Sequence, residues 1–240
     1  MNPPLEDADV ETASAGYASR FDSGVGRWML ERQLLATLDL LSDRTRTSIL
    51  DVGGGHGQLA PDLARRGHRV SVLASSEAAV SAALKPHVRS GQVRLVTGNL
   101  REPPVAPRSF DVVLCFRMLA HAHDLPGLIA GLARPAERSI IVDYATSRSF
   151  NAVAGPLFGA KQRVEKNTRP FRVLPNDELE HLFLETGCRS TGRRPQFFWP
   201  MALHRALRSA LVSRALEAPA TLLGMRTMFG SPVIARFDRV

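Results

Sequence analysis

With 240 residues, 44% of them hydrophobic and 22% charged, the chain is long enough to bury one sizeable core and has the composition of a globular domain rather than of a disordered or fibrous chain. No apolar run approaches the length of a membrane span, and the acidic opening MNPPLEDADVETASAG lacks the basic flank and apolar stretch of a secretory signal. The two cysteines, Cys115 and Cys188, show neither metal spacing nor a disulfide framework, which fits a reducing cytoplasm. The formal charge of +8 is concentrated at one end: between Arg189 and Val240 nine arginines stand against Glu217 and Asp238, a surplus of +7. Such a surface suits an anionic partner, or is simply the solvated face of helices.

In chain order, residues 1–16 are expected to be disordered, and residues 17–240 to form a single domain. Its first part, 17–46, is helical: RWMLERQLLATLDLL places Trp28, Leu30, Leu34, Leu35, Leu38 and Leu41 on one seam. From 47 to 145, short β-branched runs (SILDV, HRVSVLA, QVRLVT, FDVVLC, SIIVDY) alternate with helix-type spacing over 57–66, 76–85 and 124–134. That alternation predicts a doubly wound α/β fold with a mostly parallel sheet, strand ends gathered at one edge. Residues 146–174, with prolines and alternating basic residues, run longer than a structural loop needs and read as a lid-like connection. Within 175–240, PNDELEHLFLETGC has helix boundary signals, RSTGRRPQFFWP and SPVIARFD read as edge strands, and the stretch between them as one or two helices broken at Pro219.

The most informative stretch is SILDVGGGHGQLA, residues 48–60, with four glycines in five positions directly after an apolar strand that ends in a carboxylate, Asp51. A tight turn alone would use glycine in this way. A ligand that needs bare backbone, in the crevice where open α/β sheets bind, would use it too. A dinucleotide fingerprint read from Gly53 fails at Gln58; read from Gly55 it meets only the relaxed form, with Ala60 third. No Gly-Lys-Ser/Thr follows, so a phosphate loop is disfavoured.

The spacing Asp51, Gly53, Gly55, Gly57 resembles the first motif, D-x-G-x-G-x-G, of the class I S-adenosylmethionine-dependent methyltransferases. The likeness continues through YASRF and GRWMLERQLL, VSVLASSEAAVSAA, VTGNL and FDVVLCFRMLAHAHD. It implies a Rossmann-like seven-stranded sheet with an N-terminal helix and a C-terminal helical cap, S-adenosylmethionine as cofactor, and S-adenosylhomocysteine as product. It also implies that the three glycines admit the cofactor's methionine part, that Asp51 meets its amine, and that Asn99 and the Leu100 backbone face its adenine. Phe116 would line its pocket. Where the family usually ends its second strand with an acid for the ribose hydroxyls, this chain has Ala74, leaving Ser75 or Ser76 as a weaker acceptor. The missing acid keeps open a catalytically degenerate cofactor-binding or partner protein; the relaxed fingerprint keeps open a nicotinamide-dependent oxidoreductase.

Methyl transfer from a sulfonium needs positioning more than a dedicated catalytic group. His121 and Tyr144, after the fourth and fifth strands, are the candidates to touch an acceptor. His121 and His123 lack a clear third ligand, so no metal site is expected. CFRMLAH contains nothing like the Asn/Asp-Pro-Pro-Tyr of enzymes that methylate base amino groups, which disfavours nucleic acid and favours a small, hydrophobic acceptor. In the tail, Met201, Leu203, Leu207 and Leu211 form a stripe beside Arg205, Arg208 and Arg214. A cap packed on the sheet is the favoured reading; the alternative is peripheral contact of residues 200–230 with a membrane's inner face.

Overall fold

A computed structural model describes residues 6–42, 46–149 and 172–240. Seven strands form one sheet in the order β3-β2-β1-β4-β5-β7-β6. They are β1 (Ser48–Val52), β2 (Arg69–Ala74), β3 (Arg94–Thr97), β4 (Phe110–Cys115), β5 (Ala136–Tyr144), β6 (Cys188–Pro195) and β7 (Val233–Arg239). The first five pair in parallel, and β7 runs antiparallel to both β5 and β6. β1 and β4 match their predicted bounds because parallel strands covered on both faces read as unbroken apolar runs.

Parity along the strands sorts side chains into two apolar clusters. Ile49, Val72, Leu114 and Ile141 belong to one, and Leu50, Val113, Ile140 and Val142 to the other. Among the described residues the helices are α1 (Ala8–Thr12), α2 (Ala15–Ala18), α3 (Gly24–Leu41), α4 (Ala60–Arg65), α5 (Lys85–Arg89), α6 (Leu125–Ala133), α7 (Asn176–Glu185), α8 (Met201–Leu207), α9 (Ala210–Leu222) and α10 (Met225–Phe229). Ser23 caps α3 by accepting from Gly26 N–H, and Asp124 caps α6 through Gly127 N–H.

Four expectations change. Residues 6–16, expected to be disordered, include α1, which packs against the glycine turn and buries Asp9. The helix expected over 76–85 is a short 3-10 turn at Glu77–Ala79 followed by α5, because Ser81 bonds back to the turn through Gly55 and His56. On α3, Leu35 faces outward while Val25, Trp28 and Met29 are buried. The tail folds as three helices that part at Arg208 and Gly224, both at positive φ, whereas Pro219 lies inside α9. The lid-like connection falls outside the described residues over 150–171.

The cap is a packed element, but its anchor is polar. Glu217 on α9 is buried and accepts from Phe198 N–H (3.1 Å), Trp199 N–H (3.0 Å) and His204 Nε2 (3.0 Å). Burial pushes its carboxyl up, yet these hydrogen bonds outweigh that and hold it below the ordinary value. Trp28 completes the joint, its ring 5.2 Å from Phe197 and 5.4 Å from His204. The expected stripe is broken, with Leu211 on the outside. Removing one partner of such a cluster strands the others without water. Glu217→Ala is therefore expected to lower unfolding free energy by about 3 kcal/mol in urea titrations, several times the cost of replacing exposed Glu31.

Candidate functional site

The order of the strands reverses between β1 and β4, which is where an open α/β sheet leaves a crevice beyond its carboxyl ends. Register places Asp51 of β1 opposite Leu114 of β4, and Cys115 opposite Val142 of β5. Asp51, the residues after Cys115, and Asp143 thus meet at one edge.

The glycines serve different local needs. Gly53 and Gly57 both sit at φ +73°, open to glycine at no steric cost. A Cβ on Gly54 would lie 2.2 Å from the Asp51 carboxylate, and one on Gly55 only 1.7 Å from the Ala79 carbonyl oxygen. Gly55 is therefore required by packing against residues 79–81, whereas Gly54 keeps the Asp51 carboxylate clear.

Asp51 is 0% exposed, and neither carboxylate oxygen has a hydrogen-bond partner among the described residues. Burial raises its pKa to about 7, with the nearby Arg117 guanidinium pulling the other way. His56, inside the glycine turn, is also buried. Its Nδ1 accepts from Gln58 N–H (3.1 Å), and burial, with Arg117 beside it, holds the ring neutral. An unpaired buried carboxylate costs stability unless a ligand completes it. Its shape and charge fit an ammonium group.

The end of β2 differs from what sequence suggested. Ala74 is fully buried in an apolar cluster, and Ser75 is already engaged. Its N–H and Oγ–H donate to Asp9 Oδ2 (2.7 Å) and Oδ1 (2.6 Å). A carboxylate from α1 thereby arrives where β2 has none, its pKa raised by burial and partly restored by Ser75. Asn99 Oδ1 accepts from Arg101 N–H (3.0 Å), closing its own loop, so the oxygen expected to face adenine is occupied locally. Leu100 and Phe116 are buried within the apolar clusters.

A cleft of about 140 Å³ has Tyr17, Phe21, Gln33, Arg117, Asp143 and Arg205 in its lining, and Arg117 links it to the glycine turn through its charge on Asp51 and His56. Arg117, at φ +64°, donates its backbone N–H to Asp143 and its Nη2–H to Gln33 Oε1 (2.9 Å). Burial raises the Asp143 carboxyl, while that N–H and the guanidinium lower it. Asp143 was legible by the signal that picked out Asp51, a carboxylate near the end of an apolar strand. Attention to its neighbour missed it: Tyr144 is buried and its hydroxyl donates to Asn176 Oδ1 (2.9 Å), away from the cleft. His121 is half-buried on the turn after β4 and does not line the cleft. Glu6, Asp7 and His123 do approach one another closely enough to share an ion, but the His123 backbone N–H already occupies one Glu6 oxygen.

Residues 50–138 match the family model described as a methyltransferase domain. Malonyl-[acyl-carrier protein] O-methyltransferase of Xylella fastidiosa is 31% identical over 134 residues, 55% of this chain and 45% of that protein. Ubiquinone biosynthesis O-methyltransferase of Hahella chejuensis is 34% identical over 152 residues, 57% and 63% of the two chains. The chain spans about half the length of the curated relatives it matches. Among solved structures, magnesium protoporphyrin IX methyltransferase from Synechocystis PCC 6803 with bound SAH superposes with a TM-score of 0.65 at 16% identity, covering 95% and 96% of the chains. Geranyl diphosphate methyltransferase in complex with GPP and sinefungin gives 0.64 at 16% identity, covering 98% and 88%. Residues 50–138 thus match a methyltransferase domain model, and the seven-stranded sheet has the fold of solved methyltransferases.

Proposed function

We propose that the protein transfers a methyl group from S-adenosylmethionine to a small-molecule acceptor. The observation that carries this reading is Asp51, a buried carboxylate with no partner, kept open by Gly54 under a bare glycine turn. Bound there, S-adenosylmethionine supplies a methyl group already activated on a sulfonium. Asp51 would accept from the ammonium of its methionine part. Asp9, held by Ser75 at the end of β2, would take over the ribose hydroxyls that Ala74 cannot meet. The acceptor would enter the adjacent cleft, where Asp143 is placed to receive a proton from a hydroxyl or amine. A raised carboxyl pKa suits that work near neutral pH. None of the relatives named above is an oxidoreductase, and the intact carboxylates argue against a degenerate site.

The outer face of the cap favours one addition. Leu211 is 78% and Leu222 87% exposed, with Leu223 and Met228 also outward and Arg208 and Arg214 among them. Exposed leucines interleaved with arginines suit an anionic lipid surface, and we extend the reading to peripheral contact through residues 200–230.

Calorimetry with S-adenosylhomocysteine tests the cofactor assignment. A proton on Asp51 competes with the ammonium, so affinity is expected to rise about tenfold per pH unit from 5 towards 7 and to level off above. Asp51→Asn should flatten this profile and weaken binding at neutral pH. Asp9→Asn should cost about tenfold, the scale of a lost charge-assisted hydrogen bond. Undiminished affinity in Asp51→Asn would refute the site. For the cap, co-sedimentation with phosphatidylglycerol vesicles at low salt is expected for the wild type and lost in Leu211→Asp/Leu222→Asp; equal sedimentation of both would remove the lipid contact.

A further inference from the structure

Asp51 is fully buried and both its carboxylate oxygens are closed to solvent, so a cofactor reaches it only when a covering element moves. The inference drawn from this rests on the methyl-transfer reading. The glycine turn is pinned, with Gly53 N–H on the Leu73 carbonyl (2.8 Å) and Ser81 N–H on the Gly55 carbonyl (2.9 Å). The turn after β4, whose Met118 packs at Gly53, is pinned as well, through Arg117 N–H on Asp143 and His121 N–H on the Met118 carbonyl (2.9 Å). The remaining cover is α1, which lies against the glycine turn and against Glu77–Ala79. Its Ala8 joins the apolar cluster of Val52, Leu73 and Cys115, at the carboxyl ends of β1, β2 and β4, so α1 sits over the crevice itself.

This cover is weakly built. Five residues are too few to hold a helix alone, and the apolar side chains that it and the next residue bury fully are the alanines Ala8 and Ala13. What fastens it is polar. Asp9 accepts from Ser75 N–H (2.7 Å) and Oγ–H (2.6 Å), and buried Glu6 accepts from His123 N–H (2.9 Å). Segments with so little apolar contact are the ones that open locally. Charge adds to this: burial, then Asp143, Asp51, Glu6 and Asp9 together, push up the Cys115 thiol, so two carboxylates from the chain start enter a region that already holds two. Arg117 moderates Asp51 and Asp143, whereas burial and then the Asp7 charge push Asp9 up. Closure over an empty crevice therefore gathers like charge, and closure over an ammonium and a sulfonium offsets it.

We propose that residues 6–13 form a strap that gates the cofactor: it lifts to admit S-adenosylmethionine and closes again with Asp9 over the ribose. Glu6 is the positioning residue that fastens it to the turn after β4. Because Ala74 leaves β2 without an acid, the open strap offers the ribose no carboxylate, and tight binding requires closure.

Rapid-mixing binding of tritiated S-adenosylhomocysteine to the full chain reads the gate. In the wild type the observed rate is expected to level off as ligand rises, where strap opening limits it. Glu6→Ala should raise both that plateau and the dissociation rate at least tenfold while affinity changes less than threefold, because the fastening is lost from free and bound forms alike. A merely structural role for Glu6 would lower affinity without speeding association. Hydrogen exchange in the wild type needs no variant: the Ala13 amide, on the Asp9 carbonyl (3.0 Å), is expected to exchange at least tenfold faster than the Gly53 amide and to be slowed by S-adenosylhomocysteine. An observed rate that grows linearly with ligand and is unmoved by Glu6→Ala overturns the gate and leaves the cofactor assignment standing, as does equal exchange at Ala13 and Gly53. Failure of S-adenosylhomocysteine to bind at all overturns both.

Discussion

A carboxylate with no partner, buried at the end of a central strand, is the constraint around which the rest of this structure is arranged. Asp51 shares its strand face with Ile49 and is shut away from water. Its cost is tolerated because the sheet on either side is covered and the turn above it is fixed. Gly53 and Gly57 supply the left-handed bends, Gly54 leaves room for the carboxylate, and Gly55 lets residues 79–81 close over the loop. A ligand cation would replace the missing solvent at this point, which links an unfavourable electrostatic feature of the fold to a binding function.

Around that centre the chain brings charge from distant elements. Asp9 comes from an N-terminal helix, Arg117 from the turn after β4, Asp143 from β5 and Arg205 from the cap. Arg117 is the link: its backbone holds Asp143, its guanidinium reaches Gln33 on α3, and its charge moderates both Asp51 and Asp143. The glycine turn and the cleft are therefore electrostatically coupled through Arg117. The buried Glu217 cluster performs the comparable task for the cap, fixing the helix that carries Arg205 against α3.

Strands that are apolar on both faces were legible because parallel pairing leaves no polar face to confuse the pattern, and SILDV and FDVVLC keep their predicted limits. Asp51 was legible for the same reason, as a charge at the end of such a run. What the sequence obscured depends on tertiary partners. SEAAVSAAL has helical spacing, yet Ser81 turns back to the glycine loop and the segment follows. Pro219 suggested a break, but the chain bends where Arg208 and Gly224 adopt positive φ. Nothing local in EDADVE marks Asp9 as the partner of Ser75, a pairing across 66 residues. Ala74 looked like a loss when read within its own strand, because the carboxylate that reaches that end of the sheet comes from another element.

On the proposed function, Asp51 is largely protonated at slightly acid pH and is completed by a cationic group. Its carboxyl carbon can be followed by NMR in protein labelled at aspartate, with Asp51→Asn to assign the resonance. Titration near pH 7 is expected in the ligand-free protein, with a marked downward shift once S-adenosylhomocysteine is bound. An ordinary aspartate titration near pH 4, unmoved by the ligand, would contradict it.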